Sequence, residues 1–307
     1  MDNFVFGDMG DALGTLTPPN SHAVTPIPEA EDIVSVSATF HPAAGLGLLP
    51  PDVILLSQDG VRFYVNSTVL LLASENAFRA MLPVFLPVGN ELPVLHIPES
   101  SPVLNVILHA IYNIPCAHYS PSFSTLVNVV ESMPTYGINP KLTILPPTHL
   151  FTLLLAQAPF FPLQLYALAA RHDVFDLAVP TSSHLLSFPL WRLSDEMSER
   201  MGAIYLKRLF FLHIGRAEAF KRIIGPPPDH HSPSTPCNFD SQNELGRAWA
   251  QAIARLVWDA RPDMSTHSIE IALRPLAEDL TCDLCRDALG VRIGTLISQW
   301  SAVKRTI

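Results

Sequence analysis

From Asp52 onward the apolar residues are grouped in ways that predict definite elements. DVILLS (52–57) and VRFYVN (61–66), separated by QDG (58–60), predict a two-stranded hairpin. Its Asp59-Gly60 pair supplies the positive φ that a tight turn requires. Ser67 is placed to cap a short helix through TVLLLA, and ENAFRAML (75–82) predicts another, with Ala77, Phe78 and Met81 on one face. ELPVLHIP (91–98) predicts a third strand, at an edge or near a strand end because of Pro93. The next segment, SPVLNVILHAIY, predicts a helix with Pro102 in its first turn, where a missing N–H costs nothing.

Beyond this point only helices are expected. They are placed near 122–133, 147–158 and 161–172, followed by FDLAVPTSSHLLS with an interruption at Pro180. A long helix is predicted over 195–224 with Ser194 as cap; Met197, Met201, Ile204, Leu209, Leu212 and Phe220 give it a wide face to be buried against several neighbours. GPPPDHHSPSTP (225–236) predicts an extended surface loop. Ser241 and Glu244 form a capping-box signature ahead of a helix carrying Leu245, Trp249, Ile253 and Leu256, and further helices are expected near 266–279 and 283–303. The order strand, strand, two helices, strand, then helices alone is α+β passing into all-α, unlike the regular alternation of a doubly wound nucleotide fold.

Charge divides the chain in the same way. Residues 1–185 hold 4 basic and 14 acidic side chains and residues 186–307 hold 15 and 14, giving net charges of −10 and +1. We therefore expect an acidic, disordered tail over 1–49, one domain over 50–185 and a helical domain over 186–307. The 29 prolines, 48% hydrophobic and 15% charged residues describe an apolar, proline-punctuated globular chain. With no Lys or Arg before Arg62, the acidic part offers no electrostatic reason to bind nucleic acid. The uncharged stretch 142–170 is cut by prolines and glutamines into pieces too short to cross a bilayer, so no membrane span is expected. MDNFVFGDMG lacks the features of a signal peptide, and the four cysteines then suit a reducing, intracellular setting, cytoplasmic or nuclear.

The hairpin and the segments after it resemble the opening of a BTB/POZ domain, particularly that of fungal BTB-domain proteins. The residues carrying the resemblance are Asp52-Val53-Ile54-Leu55, Val61-Arg62-Phe63-Tyr64-Val65, Val69-Leu70-Leu71-Leu72-Ala73-Ser74 and Phe78-Arg79-Ala80-Met81. Leu104-x-x-Ile107-Leu108-x-x-Ile111-Tyr112 resembles that domain's third helix, and FPLQLYALAARHDVFDLA (161–178) a helix close to its end. Asn66 stands where the family usually has His, Asn76-Ala77 replaces one of an aromatic pair, PVFLPVGNE (83–91) is an apolar connection, and 113–147 is longer and more proline-broken than the family core. The resemblance implies a small sheet with helical hairpins, followed by a helical extension. It also implies a protein-interaction module that forms homodimers and serves as an adaptor or scaffold, for a cullin-type ubiquitin ligase or in transcriptional co-regulation. On that reading the dimer face includes Val69, Leu72, Phe78 and Met81.

Candidate chemistry is concentrated near the C-terminus. Cys282-x-x-Cys285 is the spacing that lets two thiolates share a tetrahedral ion, and Cys237 with His230 or His231 can complete the set from the proline-rich loop. The same residues also read as incidental thiols at the start of a helix, or as a redox pair, although no strand precedes them as a thioredoxin-like site requires. A zinc-stabilised helical scaffold using Cys237, Cys282, Cys285 and His231 is therefore the alternative to the BTB-type reading. No Gly-x-Ser-x-Gly elbow, phosphate loop or His-Glu metalloprotease motif is present, and His213, Arg208, Arg216 and Arg222 read as structural or solvated residues, so an enzyme is not expected.

Overall fold

The computed structural model describes residues 35–46, 49–83, 92–235 and 237–307. It is mixed α+β and mostly helical, with one four-stranded sheet. The strands are β1 (Ser35–Val36), β2 (Val53–Leu56), β3 (Val61–Val65) and β4 (Val94–His96), in the spatial order β1-β3-β2-β4. Strands β2 and β3 form the expected antiparallel hairpin, with Val53 opposite Val65 and Leu55 opposite Phe63, and Gly60 takes φ +81° in its turn. Both outer strands run parallel to their neighbours, β1 to β3 and β4 to β2. The expected tail thus ends earlier than 49: Ser35 and Val36 pair with β3, and Phe40 is fully buried against the sheet. The remainder of that expectation, and the connection over 84–91, lie outside the described residues.

Helix α1 (Ser67–Ala73) is capped by Asn66, whose Oδ1 accepts from the Thr68 N–H at 3.0 Å, and not by Ser67. Ser67 is tied instead to Asp52, whose two carboxylate oxygens accept from its N–H and hydroxyl. The expected helix 75–82 is reduced to α2 (Ala77–Ala80), a turn whose four residues all have positive φ and which drives the Phe78 ring onto Tyr136 at 4.6 Å. Gly137 answers this turn: it has φ +69°, and a Cβ there would lie 2.5 Å from Asn76 Oδ1.

Helices α3 (Ser101–Ile111), α4 (Phe123–Ser132), α5 (Pro140–Thr143), α6 (His149–Leu155), α7 (Pro162–Arg171) and α8 (Phe175–Ser182) complete the first core. The long segment 113–147 is thereby short helices and turns, with Pro180 carried inside α8. The 30-residue α9 (Asp195–Ile224), capped by Ser194 and broken at Gly202, gives Met201, Tyr205 and Leu209 to this core. Tyr166 donates to the Tyr205 carbonyl, and Glu131 on α4 pairs with Arg200 on α9 at 2.8 Å. The division expected at 185–186 therefore falls inside continuous packing, because Leu190, Leu193 and Met197 also lie against the first core.

The second half of α9 belongs to a smaller bundle with α10 (Phe239–Trp258), α11 (Thr266–Leu273) and α12 (Asp283–Ser301). Phe220, Trp249, Ile269, Leu289, Leu296 and Trp300 form its interior. Asn238 caps α10 through the Ser241 N–H, replacing the capping box expected at Ser241. Buried Arg216 closes one end of the bundle: its guanidinium donates to the carbonyls of Pro262, Val303 and Lys304 and lies 4.3 Å from the Trp300 ring. Among the described residues, no helix is long and apolar enough to cross a membrane.

Candidate metal centre

The other end of the bundle gathers four donor residues from two separate pieces of chain. Cys282 is the N-cap of α12 and Cys285 lies in its first turn, so both sulfurs emerge at the helix start. Across from them, the loop after α9 folds back through a bridge between Ser234 and Cys237, which hydrogen-bond each other's backbone at 2.9 and 3.1 Å. This presents Cys237 beside Cys285, Sγ to Sγ 3.6 Å. The same loop brings His231 Nε2 to 3.3 Å from Cys285 Sγ and 3.4 Å from Cys282 Sγ. All four donor atoms lie within 4.8 Å of one another.

Three of these spacings come close to the edges of a metal tetrahedron. With bonds of about 2.3 Å to sulfur and about 2.0 to 2.1 Å to nitrogen, a tetrahedral ion separates its ligands by roughly 3.8 Å (S–S) and 3.6 Å (S–N). A disulfide would need about 2.05 Å, and all four cysteines are free thiols. The imidazole is oriented for the purpose: Nδ1 lies 2.7 Å from the Ser232 carbonyl, which takes the ring proton there and leaves the Nε2 lone pair facing the sulfurs. Residue 231 is held in turn by buried Gln242, whose side chain accepts from its N–H and donates to its carbonyl, both at 3.1 Å.

Electrostatics at the cluster push the two thiols of α12 in opposite directions. The Cys285 N–H points at Cys282 and, with help from Cys237 and the Leu284 N–H, pushes that thiol down to about 7. Burial, followed by the nearby Cys237 and Cys282, pushes Cys285 up to about 12. One thiolate is favoured and a second beside it is resisted, a conflict that a dication removes by paying for both charges. Cys237, Cys282 and Cys285 are all buried, and a cleft of about 220 Å³ containing Glu244 and Asp279 opens beside them. The His/Cys3 cluster can hold a metal ion.

The structure selects His231 over its neighbour His230, a choice the sequence left open. Sequence reasoning missed Gln242 and the Ser232 carbonyl, since neither a buried glutamine on a helix nor a backbone oxygen leaves a motif. The residues expected to share an interaction face separate. Leu72 is 84% exposed on α1 and Val69 is half-buried beside it, whereas Met81 packs against the first core and Phe78 is 0% exposed within it. Phe78 therefore cannot present a surface, because its left-handed turn points the ring inward. His213 is buried with its Nε2 lacking a hydrogen-bond partner among the described residues, and Arg216, expected on a solvated or inter-domain face, is buried on three backbone carbonyls. No family model, curated protein or solved structure matches the chain.

Proposed function

We propose that this protein is an interaction scaffold whose C-terminal bundle is closed by one zinc ion on His231, Cys237, Cys282 and Cys285. The observation that carries the reading is the gathering of one imidazole nitrogen and three sulfurs within 4.8 Å of one another, with the imidazole already turned the right way. Three thiolates and one imidazole are a donor set suited to zinc. Four protein ligands leave no position open for water or substrate, so the ion's role is structural and not catalytic. It fastens the proline-rich loop to the start of α12, where few buried apolar side chains do so: this corner contains Leu245, with Leu280 packed alongside.

The test is the metal content of protein purified without chelators, measured by elemental mass spectrometry on wild type and on Cys285→Ser. One zinc per wild-type chain, lost in the variant, is the expected result. Metal-free wild-type protein with the bundle fully folded would overturn the reading.

A second reading concerns the N-terminal half, as a BTB-type module that pairs with a second copy or with another protein. Its support is that the hairpin, α1 and α3 follow one another in the order the resemblance implies, that Leu72 is left in solvent on α1, and that Val69 on the same helix lines an open apolar groove. That groove has a volume of about 600 Å³ and includes Leu46, Tyr64, Val69 and Tyr112. Light scattering over a wide concentration range checks it: a stable mass of twice 33.7 kDa, returned to the monomer by Leu72→Glu, is expected. A strict monomer at all concentrations removes this reading and leaves the zinc-closed scaffold intact.

A further inference from the structure

The sequence predicts a wide apolar face on α9 buried against several neighbours; Ile204 departs from this and joins two further apolar residues in solvent. Ile204, Phe211 and Ile214 are 66%, 61% and 53% exposed, at helical spacing that puts them on the side opposite buried Tyr205, Leu209, Leu212 and Phe220. Lys207 and Arg208 lie on the same stripe. The Lys207 ammonium sits 5.4 Å from the Phe211 ring, and the Arg208 guanidinium is held over Phe175 and Tyr205 at 4.7 and 4.9 Å. Residues 303–307 run alongside, anchored by Ile307 N–H on Ser182 Oγ and by the Arg216 contacts, and form the second wall of a groove of about 370 Å³.

The lining of this groove is apolar and cationic: Phe211 and Leu212 face Val303 and Ile307, with Arg208, Arg216 and Lys304 among them and no carboxylate side chain. Among the described residues, Lys207 and Arg208 make no salt bridge to a carboxylate side chain, whereas the Lys304 ammonium donates to the Ile307 backbone oxygen at 2.7 Å. In a chain of net charge −9 this is a local reversal of sign. A phosphate backbone would meet the cations and leave Ile204, Phe211 and Ile214 in water, so the combination favours a partner that brings apolar side chains and carboxylates together.

We infer that the exposed stripe of α9, together with the groove it borders between α9 and residues 303–307, is a docking site for an acidic amphipathic helix from a partner protein, its apolar side chains on Ile204, Phe211 and Ile214 and its carboxylates on Lys207 and Arg208. This is a helix-in-groove mode of recognition, in which charge sets orientation and the aromatic supplies most of the affinity. The site is independent of the metal centre and of pairing through α1.

The probe is a fluorescein-labelled peptide of about four helical turns with Leu at i, i+3, i+4 and i+7 and Glu elsewhere. It is titrated with the full chain by fluorescence anisotropy. We expect saturable binding that weakens with salt, falls on the order of ten-fold in Phe211→Ser and again in Lys207→Glu, and is unchanged in Val291→Ser, an exposed apolar position on α12. The same peptide with Lys in place of Glu should not bind. Absence of peptide binding, or equal affinity in the Phe211 and Lys207 variants, overturns the proposal. So does capture of the chain by phosphatidylserine–phosphatidylcholine vesicles without peptide binding, which would make the groove a lipid surface. Both side chains lie in solvent, and matching thermal melts confirm that the variants are folded.

Discussion

The two cores that share α9 are held together by different physics. The first has a sheet covered by successive helices and a long run of fully buried residues, among them Leu55, Phe63, Leu104, Ile107, Tyr136 and Tyr166. Burial of that extent stabilises without special fastenings, at roughly 25 cal/mol per Å² of apolar surface. The second is a short bundle whose interior is ten buried hydrophobic residues. Small cores of this kind gain little from burial alone and generally need cross-links or metals. Here polar groups of defined geometry sit at the two ends of α12: the His/Cys3 cluster, which can hold a metal ion, at its start and Arg216, gripping three backbone carbonyls, just past its end. Where apolar area runs short, polar groups with defined geometry take over the closure.

On the proposed zinc reading, the sharpest way to break this comparison is to remove the metal. Chelation, or Cys285→Ser, should cost the bundle on the order of 5 kcal/mol or more, since structural zinc binding is folding free energy in small domains. Amide hydrogen exchange should then lose protection over α10 to α12 while α3, α4 and α7 keep theirs. Equal loss in both regions would mean that the two cores unfold as one. Next in size is Arg216→Ala, which orphans three carbonyls and opens the other end of the bundle; about 3 to 5 kcal/mol is expected, with Arg216→Lys recovering only part of it because an ammonium lacks the planar fork. Thermal melts of the metal-loaded variants check this.

The reciprocal experiment attacks the first core. Leu104→Ala removes a fully buried side chain and should cost about 2 to 5 kcal/mol, with the zinc content of the folded fraction unchanged. Acid should also separate the regions. Burial holds His109, His172 and His213 below their ordinary value of 6.5, outweighing Glu131 beside His172 and Asp263 near His213. Their contribution is present above about pH 6.5, where folded and unfolded imidazoles are both neutral. It is lost as pH falls further, because the unfolded chain takes up the protons first. His109→Gln and His172→Gln should therefore flatten the decline in melting temperature between about pH 7 and 5 for the first core. The bundle's acid sensitivity should persist in them, since it follows protonation of the metal ligands. The smallest effects belong to the caps: Asn66→Ala and Asn238→Ala should each cost about 1 kcal/mol, one in each region.

Elements governed by local rules were legible in the sequence. The hairpin at Asp59-Gly60, α3 with Pro102 in its first turn, α9 behind Ser194 and the helix expected near 283–303 all stand where apolar period and turn chemistry put them. So was the ligand chemistry, because a pair of cysteines three residues apart at a helix start can turn two sulfurs the same way whatever surrounds them. Cap positions slipped by one to three residues at Asn66 and Asn238, since Ser and Asn satisfy the same N–H groups and only the path of the incoming chain chooses between them.

What the sequence determined alone was therefore the kind of most elements, the α+β order and the three cysteine donors. Tertiary structure decided the rest. It pulled Phe40 into the core and Phe78 with it, left Ile204, Phe211 and Ile214 outside, and chose His231 from two adjacent histidines by clamping its backbone with Gln242. Periodicity reports which side of an element is apolar. Whether that side is covered depends on long-range neighbours, and only the folded chain supplies them.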